Sequence, residues 1–534
     1  MQSWLSWFLR GTLILIFLIL LGKLFEVQII KGSYYRSLSE ENRIRHIPIP
    51  APRGRILARN GEALADNVAI KERVLFDPGK GITFTEDLTN ASPDEIITNY
   101  KRIYPMGEVF AHASGYLSVV SGSGVGIVDP NCPQKGVRTS GMLVGVTGLE
   151  EEYECALLGV PGEELIEVNT LGKKIRILGI RNPTPGTDIR TSIDYGLQEE
   201  VAKDMDNSSV SDKKGAAIVT DANGAILAFY SSPSFDPQKI APLLTDPNLP
   251  LFNRVTSGTF HPGSVFKPLV AIAALEEGAI DGNFLFNDPG IITVNGFSYT
   301  NWYFTEYGRL EGQINLVQAL ARSTDTFFYK IGEMVGPVNI AKWADLFGLD
   351  KVTGVDIPEE AKGLIPTPDW KQKVIKEAWF LGNTYNMSIG QGDVSVTPIE
   401  LNTYIAAIAA DGKLCQPQFI FSGSPVCHKI NISQNNLDLV KEGMQGACAN
   451  GGTAYTFFDF GQKHGGQTVA CKTGTAEVGV VGKPNAWFTF FSPIKNPEIV
   501  ATIVFEKGGQ GSEVAGPVAR KIADYYFQTE AAAK

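Results

Sequence analysis

Gln467-Thr468-Val469-Ala470-Cys471-Lys472-Thr473-Gly474-Thr475 is the stretch on which the reading of this chain turns. Gln467 to Cys471 alternates as a strand does, and it runs into a Lys-Thr-Gly triplet that occurs once in 534 residues. A cation, a hydroxyl and a bare glycine backbone at a strand edge can hold a peptide that ends in a carboxylate. Lys472 supplies the field, Thr473 a hydrogen bond, and Gly474 lets the ligand backbone approach closely. A lone triplet of this kind is usually a solvated turn, so its meaning depends on a nucleophile upstream.

Ser-x-x-Lys can place a hydroxyl and an amine on one helix face. The pattern occurs three times. Ser211…Lys214 lies in a charged, polar stretch, and Ser492…Lys495 runs through Pro493 into a turn. Only Ser264…Lys267 opens a convincing helix. Pro262-Gly263 precede it, Val265-Phe266 and Leu269 to Leu275 are apolar, and Gly278 stops it. Pro268 falls in the first turn, where its missing N–H costs little. Ser264 then sits at the positive end of the helix dipole, which favours developing negative charge. A serine needs a base to become a nucleophile, and Lys267 serves only when neutral. Burial and a second cation both push a lysine that way, and Lys472 can be that cation. A third element, Ser323-Thr324-Asp325, follows the helical run Leu316 to Ala321, although Ser-x-Asp/Asn also occurs at 192, 234 and 433.

Strand and turn signals frame these motifs. Ala216 to Thr220, the turn Asp221-Ala222-Asn223-Gly224 and Ala225 to Tyr230 read as a hairpin. Ala486 to Ser492, a Pro493 to Pro497 turn and Glu498 to Phe505 read as a second. The middle is richer in helical signals, such as Ile399 to Ala410. Early and late strands around a helical middle predict one antiparallel sheet flanked by helices, an α+β domain over 187–534. Residues 51–186 mix short strands, glycine turns and a few amphipathic segments without a chemical constellation, and read as a structural spacer. Gly32 to Arg45 is polar and helical in pattern, a stalk over 31–50 that Pro48, Pro50 and Pro52 break.

Gly11 to Gly22 is uncharged and mostly apolar, and with its flanks it reaches membrane-spanning length. No small-x-small cleavage site follows, so 11–30 reads as an uncleaved anchor behind a cytoplasmic leader, 1–10. That puts the remainder outside the cytoplasm. Cys132 with Cys155, and Cys415 with Cys427, can pair in an oxidising compartment. Cys471 reads as a small buried apolar residue, and Cys448 carries no reading. The five histidines are scattered and make no ligand spacing with cysteine, so neither a metal nor a cofactor is expected. A net charge of −10 without a polybasic tract argues against a nucleic-acid partner.

Ser264-x-x-Lys267, Ser323-x-Asp325 and Lys472-Thr473-Gly474, in that order and spacing, resemble the three active-site motifs of penicillin-binding proteins and serine β-lactamases. His261 to Pro268 resembles the nucleophile segment of class B members, and Arg53 to Gly61 the segment that opens their pedestal (dimerisation) domain. Gly390-Gln391-Gly392, Val396-Thr397-Pro398 and Ala486-Trp487-Phe488 are similar too. Gly354 to Pro358 and Pro366 to Lys371 resemble the elongation-type branch, which often has aspartate in the second motif. The resemblance implies a serine β-lactamase/transpeptidase-like domain over 187–534, behind a pedestal over 51–186. The implied protein is a single-pass inner-membrane D,D-transpeptidase that cross-links peptidoglycan stem peptides ending in D-Ala-D-Ala and is acylated by β-lactams. Ser264 would attack, Lys267 take its proton and Ser323 relay it. Lys472, Thr473 and Thr475 would hold the terminal carboxylate, and the N–H groups of Ser264 and Thr475 form the oxyanion hole. Asp325 would stabilise the Lys267 ammonium and oppose Lys472. A polymerising glycosyltransferase in the membrane is the implied partner. A carboxypeptidase or β-lactamase-type hydrolase, and a non-catalytic wall-peptide receptor, are the alternative readings.

Overall fold

The computed structural model describes residues 2–77, 81–169, 174–420, 423–479 and 483–533. The chain forms two compact units, each discontinuous in sequence. One comprises Met1–Gly54, Asn67–Arg102 and Leu158–Thr187; the other comprises Arg55–Asp66, Ile103–Leu157 and Asp188–Lys534.

In the smaller unit, helix α1 (Gln2–Phe25) continues through a π-turn at Glu26–Ile30. The apolar run Trp4–Ile30 is long and apolar enough to cross a bilayer, and its side chains meet no protein interior. Lys23 and Lys31 each lie 2.7 Å from Glu26, so the carboxylate at the end of the apolar run is paired. Helix α2 (Gly32–Arg43) is the polar stalk segment. It leads into β1 (Ile44–Ile49), which pairs with β5 (Gly162–Val168), and β5 pairs in turn with β6 (Lys174–Arg181). A separate ladder joins β2 (Ala63–Asp77), β3 (Gly81–Thr85) and β4 (Ile96–Ile103). The core here is small: Ile47, Ile166 and Val168, with Val74 against them.

The larger unit is built on a five-stranded antiparallel sheet. Its strands are β7 (Gly215–Thr220), β8 (Ile226–Ser232), β9 (Ala470–Ala476), β10 (Asn485–Ser492) and β11 (Ile499–Phe505), in the order β8-β7-β11-β10-β9. Both faces are covered, which is why these strands read as near-continuous apolar runs. Alternation sorts their side chains. Ala217, Val219, Phe488, Phe490 and Ile503 join Leu197, Val201 and Met205 of α3 (Tyr195–Asp206) and Val518 and Ile522 of the last helix (Ala515–Ala533). Ala216, Ile218, Trp487, Val500 and Val504 face the other way, into a core shared with a cluster of helices. That cluster includes α4 (Lys267–Glu276), α5 (Leu316–Arg322), α6 (Asp325–Val335), α7 (Pro398–Ala409) and α8 (Gln434–Ala447). The two expected hairpins and the helices near 316 and 399 are present. The strand leading to Lys-Thr-Gly begins at Ala470 and carries through the triplet instead of ending before it.

Candidate active site

The three motifs meet in the larger unit where α4, the α5–α6 turn and β9 converge. Among the described residues β9 pairs only with β10, which makes it the sheet edge, where a strand can be added. Ser264 lies in one 3₁₀ turn (Gly263–Phe266) that runs directly into α4, with Pro268 in the first α turn as its chemistry requires. Every α4 residue from Lys267 to Leu275 is buried, so the turn rides on a helix fixed in the core, while Ser264 itself stays partly accessible.

The segment before Ser264 is braced on both sides. The Gly263 N–H donates to the Gly390 carbonyl (2.9 Å), and Phe260 and Val396 exchange both backbone bonds, each 2.9 Å. The His261 Nδ1 lies 2.6 Å from the Val394 carbonyl oxygen. From the sheet, the Trp487 indole N–H donates to the His261 carbonyl (2.9 Å). The stretches around 390, 396 and 487 are thus the scaffold of the nucleophile turn. The rival Ser492 is spent on structure, its hydroxyl donating to the Thr468 carbonyl.

Lys267 has no exposed surface. Its Nζ donates to the Ser323 carbonyl (2.7 Å), the Ser323 hydroxyl (3.1 Å) and the Asp325 carboxylate (2.7 Å), and lies 5.2 Å from the centre of the Phe328 ring. Three acceptors match the three N–H bonds of an ammonium. The turn between α5 and α6 makes this possible. Asn315 and Gln318 form a capping box at the start of α5, and the helix ends with Ser323 in the left-handed region at φ 56°. That single reversal aims the Ser323 carbonyl, the Ser323 hydroxyl and Asp325 at one amine. A left-handed non-glycine residue costs about 1 kcal/mol or more and persists where its surroundings demand it.

Lys472, also fully buried, donates to the Thr473 carbonyl (2.9 Å) and to the same Ser323 hydroxyl (3.0 Å). Ser323 Oγ therefore bridges the two amines. Burial pushes the Lys267 pKa below the lysine range, against the pull of Asp325. Lys472 is pushed down further, by burial and then by the charge on Lys267. The sequence suggested that Lys472 is the cation that discharges Lys267. The geometry adds the counter-charge: Asp325 sits on Lys267 and favours its ammonium, opposing that discharge.

Gly474 has a packing role as well. A Cβ there would lie 2.9 Å from Trp487 Cβ, 3.0 Å from the Pro262 carbonyl oxygen and 3.1 Å from a Val265 methyl. The bare backbone makes room for the nucleophile turn itself. The Thr473 hydroxyl donates to the Thr453 hydroxyl (2.9 Å), and the Thr475 hydroxyl to Gln510 Oε1 (3.1 Å). Neither Thr453 nor Gln510 stood out in sequence; each is a polar side chain next to glycines, which is a turn signal and no more. The cysteines correct another reading. Cys132–Cys155 and Cys415–Cys427 pair as anticipated, but Cys471 is bonded to Cys448. The end of α8 lies against β9, which brings their Cα atoms to 5.6 Å. This bond ties the residue before Lys472 to a helix. Among the described residues no group of three His, Cys, Asp or Glu side chains gathers at metal-binding distance.

Comparison with known proteins gives the family. Residues 215–524 match the penicillin-binding protein transpeptidase domain, and residues 82–191 the penicillin-binding protein dimerisation domain. The chain is 30% identical to the peptidoglycan D,D-transpeptidase MrdA of Salmonella typhimurium LT2, covering 98% of this chain and 95% of that protein. Penicillin-binding protein PBP2 of Helicobacter pylori, solved in complex with MreC, superposes with a TM-score of 0.76 at 27% identity, covering 91% of this chain and 99% of that one. PBP2 of Pseudomonas aeruginosa, solved with WCK 5153, gives 0.72 at 29% identity, with 90% and 96% covered. With its N-terminal membrane-length helix, the chain belongs to the class B penicillin-binding proteins, as a single-pass inner-membrane D,D-transpeptidase of the elongation (MrdA) type that cross-links peptidoglycan.

Proposed function

We propose that Ser264 is the acyl-accepting nucleophile of this transpeptidase, and that Lys267, Ser323 and Lys472 carry its proton. The observation behind this is the Ser323 hydroxyl, 3.1 Å from one lysine amine and 3.0 Å from the other, with Ser264 one helical turn before Lys267. A stem peptide ending in D-Ala-D-Ala adds to the free edge of β9, its terminal carboxylate near Lys472, Thr473 and Thr475. The penultimate carbonyl then lies over Ser264, with the N–H groups of Ser264 and Thr475 as oxyanion donors; losing one such donor typically costs about 100- to 1000-fold in rate. Ser264 Oγ bonds the carbonyl carbon and its proton passes to the amines. The C–N bond to the terminal D-Ala breaks, and the proton goes to the departing nitrogen by way of Ser323. The amine of a neighbouring stem resolves the ester. Asp325 favours the charged form of Lys267, while burial and the charge on Lys267 disfavour that of Lys472, so we place the start of the relay at Lys472.

We also assign residues 51–186 the pedestal role and residues 187–534 the transpeptidase role. The two domain families matched, over residues 82–191 and 215–524, are a dimerisation and a transpeptidase domain, which supports a separate membrane glycosyltransferase partner for glycan polymerisation. The MreC bound by the Helicobacter pylori relative supports a further, scaffold-type partner for this chain. The test is reconstitution: the full chain in detergent, a polymerising partner and lipid-linked precursor. We expect cross-linked stem dimers, lost in Ser264→Ala. Release of D-Ala without dimers would make the protein a hydrolase, and dimers made by Ser264→Ala would end the assignment.

A further inference from the structure

Thr475 carries a hydroxyl at the edge strand, and both of its ordinary partners are already supplied by one short segment. It donates to Gln510 Oε1 (3.1 Å) and accepts from the Gly511 N–H (3.3 Å). Its single proton is therefore engaged, and it cannot serve a ligand carboxylate without releasing Gln510. The Gln510 amide has the opposite balance. Its oxygen is used, while its nitrogen makes no hydrogen bond among the described residues, and the side chain is exposed. Two N–H donors thus stand free beside Thr475.

The position is built. Residues 508–511 read Gly-Gly-Gln-Gly, so Gln510 is the one side chain in the run. A Cβ on Gly511 would lie 2.2 Å from the Gly474 carbonyl oxygen and 2.3 Å from that of Trp487, so only glycine lets the segment lie flat on β9 and β10. The backbone is tied on both sides of Gln510. The Gly509 N–H donates to the Pro484 carbonyl (3.0 Å), and the Gln510 carbonyl accepts from Glu513 and Val514 (each 3.1 Å) as the last helix begins. Such anchoring fixes where the amide is presented.

We propose that Gln510 is a specificity-determining residue for acyl transfer: its amide nitrogen donates to the terminal carboxylate of the donor stem, or of a β-lactam, while its oxygen orients Thr475. This rests on the reading that β9 holds that carboxylate. Neutral donors suit the task, because they select an anion without adding charge beside two buried lysines.

The test compares benzylpenicillin with its methyl ester, measuring the second-order rate of Ser264 acylation in the full-length protein. Wild type should favour the acid; no preference would overturn the carboxylate reading of β9, and Gln510 with it. In Gln510→Ala the acid should slow about 10-fold, equivalent to ~1.4 kcal/mol, with the ester within about 2-fold of wild type. Gln510→Glu retains an oxygen for Thr475 but replaces the donor by an anion, so the acid should slow more than in Gln510→Ala and the ester far less. Were acid and ester to slow together in both variants, Gln510 would be a structural prop and the proposal would fail. An acid-to-ester ratio unchanged in Gln510→Glu would overturn it as well, whatever the stability of the alanine variant.

Discussion

Asp325→Asn changes one oxygen for one nitrogen and removes the counter-charge of a fully buried lysine. Lys267 Nζ lies 2.7 Å from Asp325 Oδ1 and has no exposed surface, while the carboxylate side chain is 18% exposed. Two unit charges about 4 Å apart attract by about 4 kcal/mol at an effective dielectric of 20. Breaking a buried pair from one side costs roughly 3–5 kcal/mol. Lys267 can shed its proton in response, so the lower end, about 3 kcal/mol, is expected near pH 6. The sign with pH follows from the direction of the shift. Burial holds Lys267 below the lysine range and Asp325 is what raises it, so asparagine lowers it further. Once the lysine is neutral in both proteins, the missing charge costs nothing. The stability gap should therefore shrink as pH rises through the wild-type value of Lys267. Acylation should respond in the opposite sense: a lower Lys267 pKa leaves the Ser323-bridged lysine pair able to take the serine proton at lower pH, which moves the acidic limb of the rate profile downward. Urea unfolding and stopped-flow acylation, both across pH 5 to about 10, read the two effects. A limb that stays put or moves up would refute the claim that Asp325 favours the protonated form of Lys267.

Three further outcomes are expected. Gly474→Ala should lose about 1–3 kcal/mol to overpacking against Trp487, Pro262 and Val265 and slow acylation, because the displaced turn carries Ser264; melting temperature and acylation rate check both. Replacing Cys448 and Cys471 together by alanine opens a loop with a sequence separation of 23, which costs about 3 kcal/mol by loop entropy and should be seen as a lower urea midpoint. Lys472→Met should be more stable than wild type at neutral pH. The native amine is pushed well below the lysine range while the unfolded chain still binds the proton, so the advantage should fade as unfolding is measured closer to about pH 10.

Much of this was legible in the chain. The order Ser264-Lys267, Ser323-Asp325, Lys472-Gly474 needs no coordinates, and the Asp-Ala-Asn-Gly and Pro493–Pro497 turns mark both hairpins. What stayed hidden is what folding alone brings together. Strand β11 lies between β7 and β10, a neighbour relation that spans nearly the whole domain in sequence. The partner of Cys471 depends on where α8 ends against β9, and spacing says nothing of that. Nor can a sequence display the Pro262 carbonyl that packs against Gly474. The counter-charge of Lys267 is the sharpest case. Both amines and the carboxylate are visible as residue types, but only the left-handed Ser323 decides that Asp325 meets Lys267.

Ser264 carries the whole reaction. Peptide mass mapping of the full-length protein after exposure to benzylpenicillin should find one equivalent of adduct, on the peptide that carries His261 to Lys267, with fragmentation placing it on Ser264. An adduct on another residue, or an unmodified Ser264 in protein that has bound penicillin stoichiometrically, would contradict it.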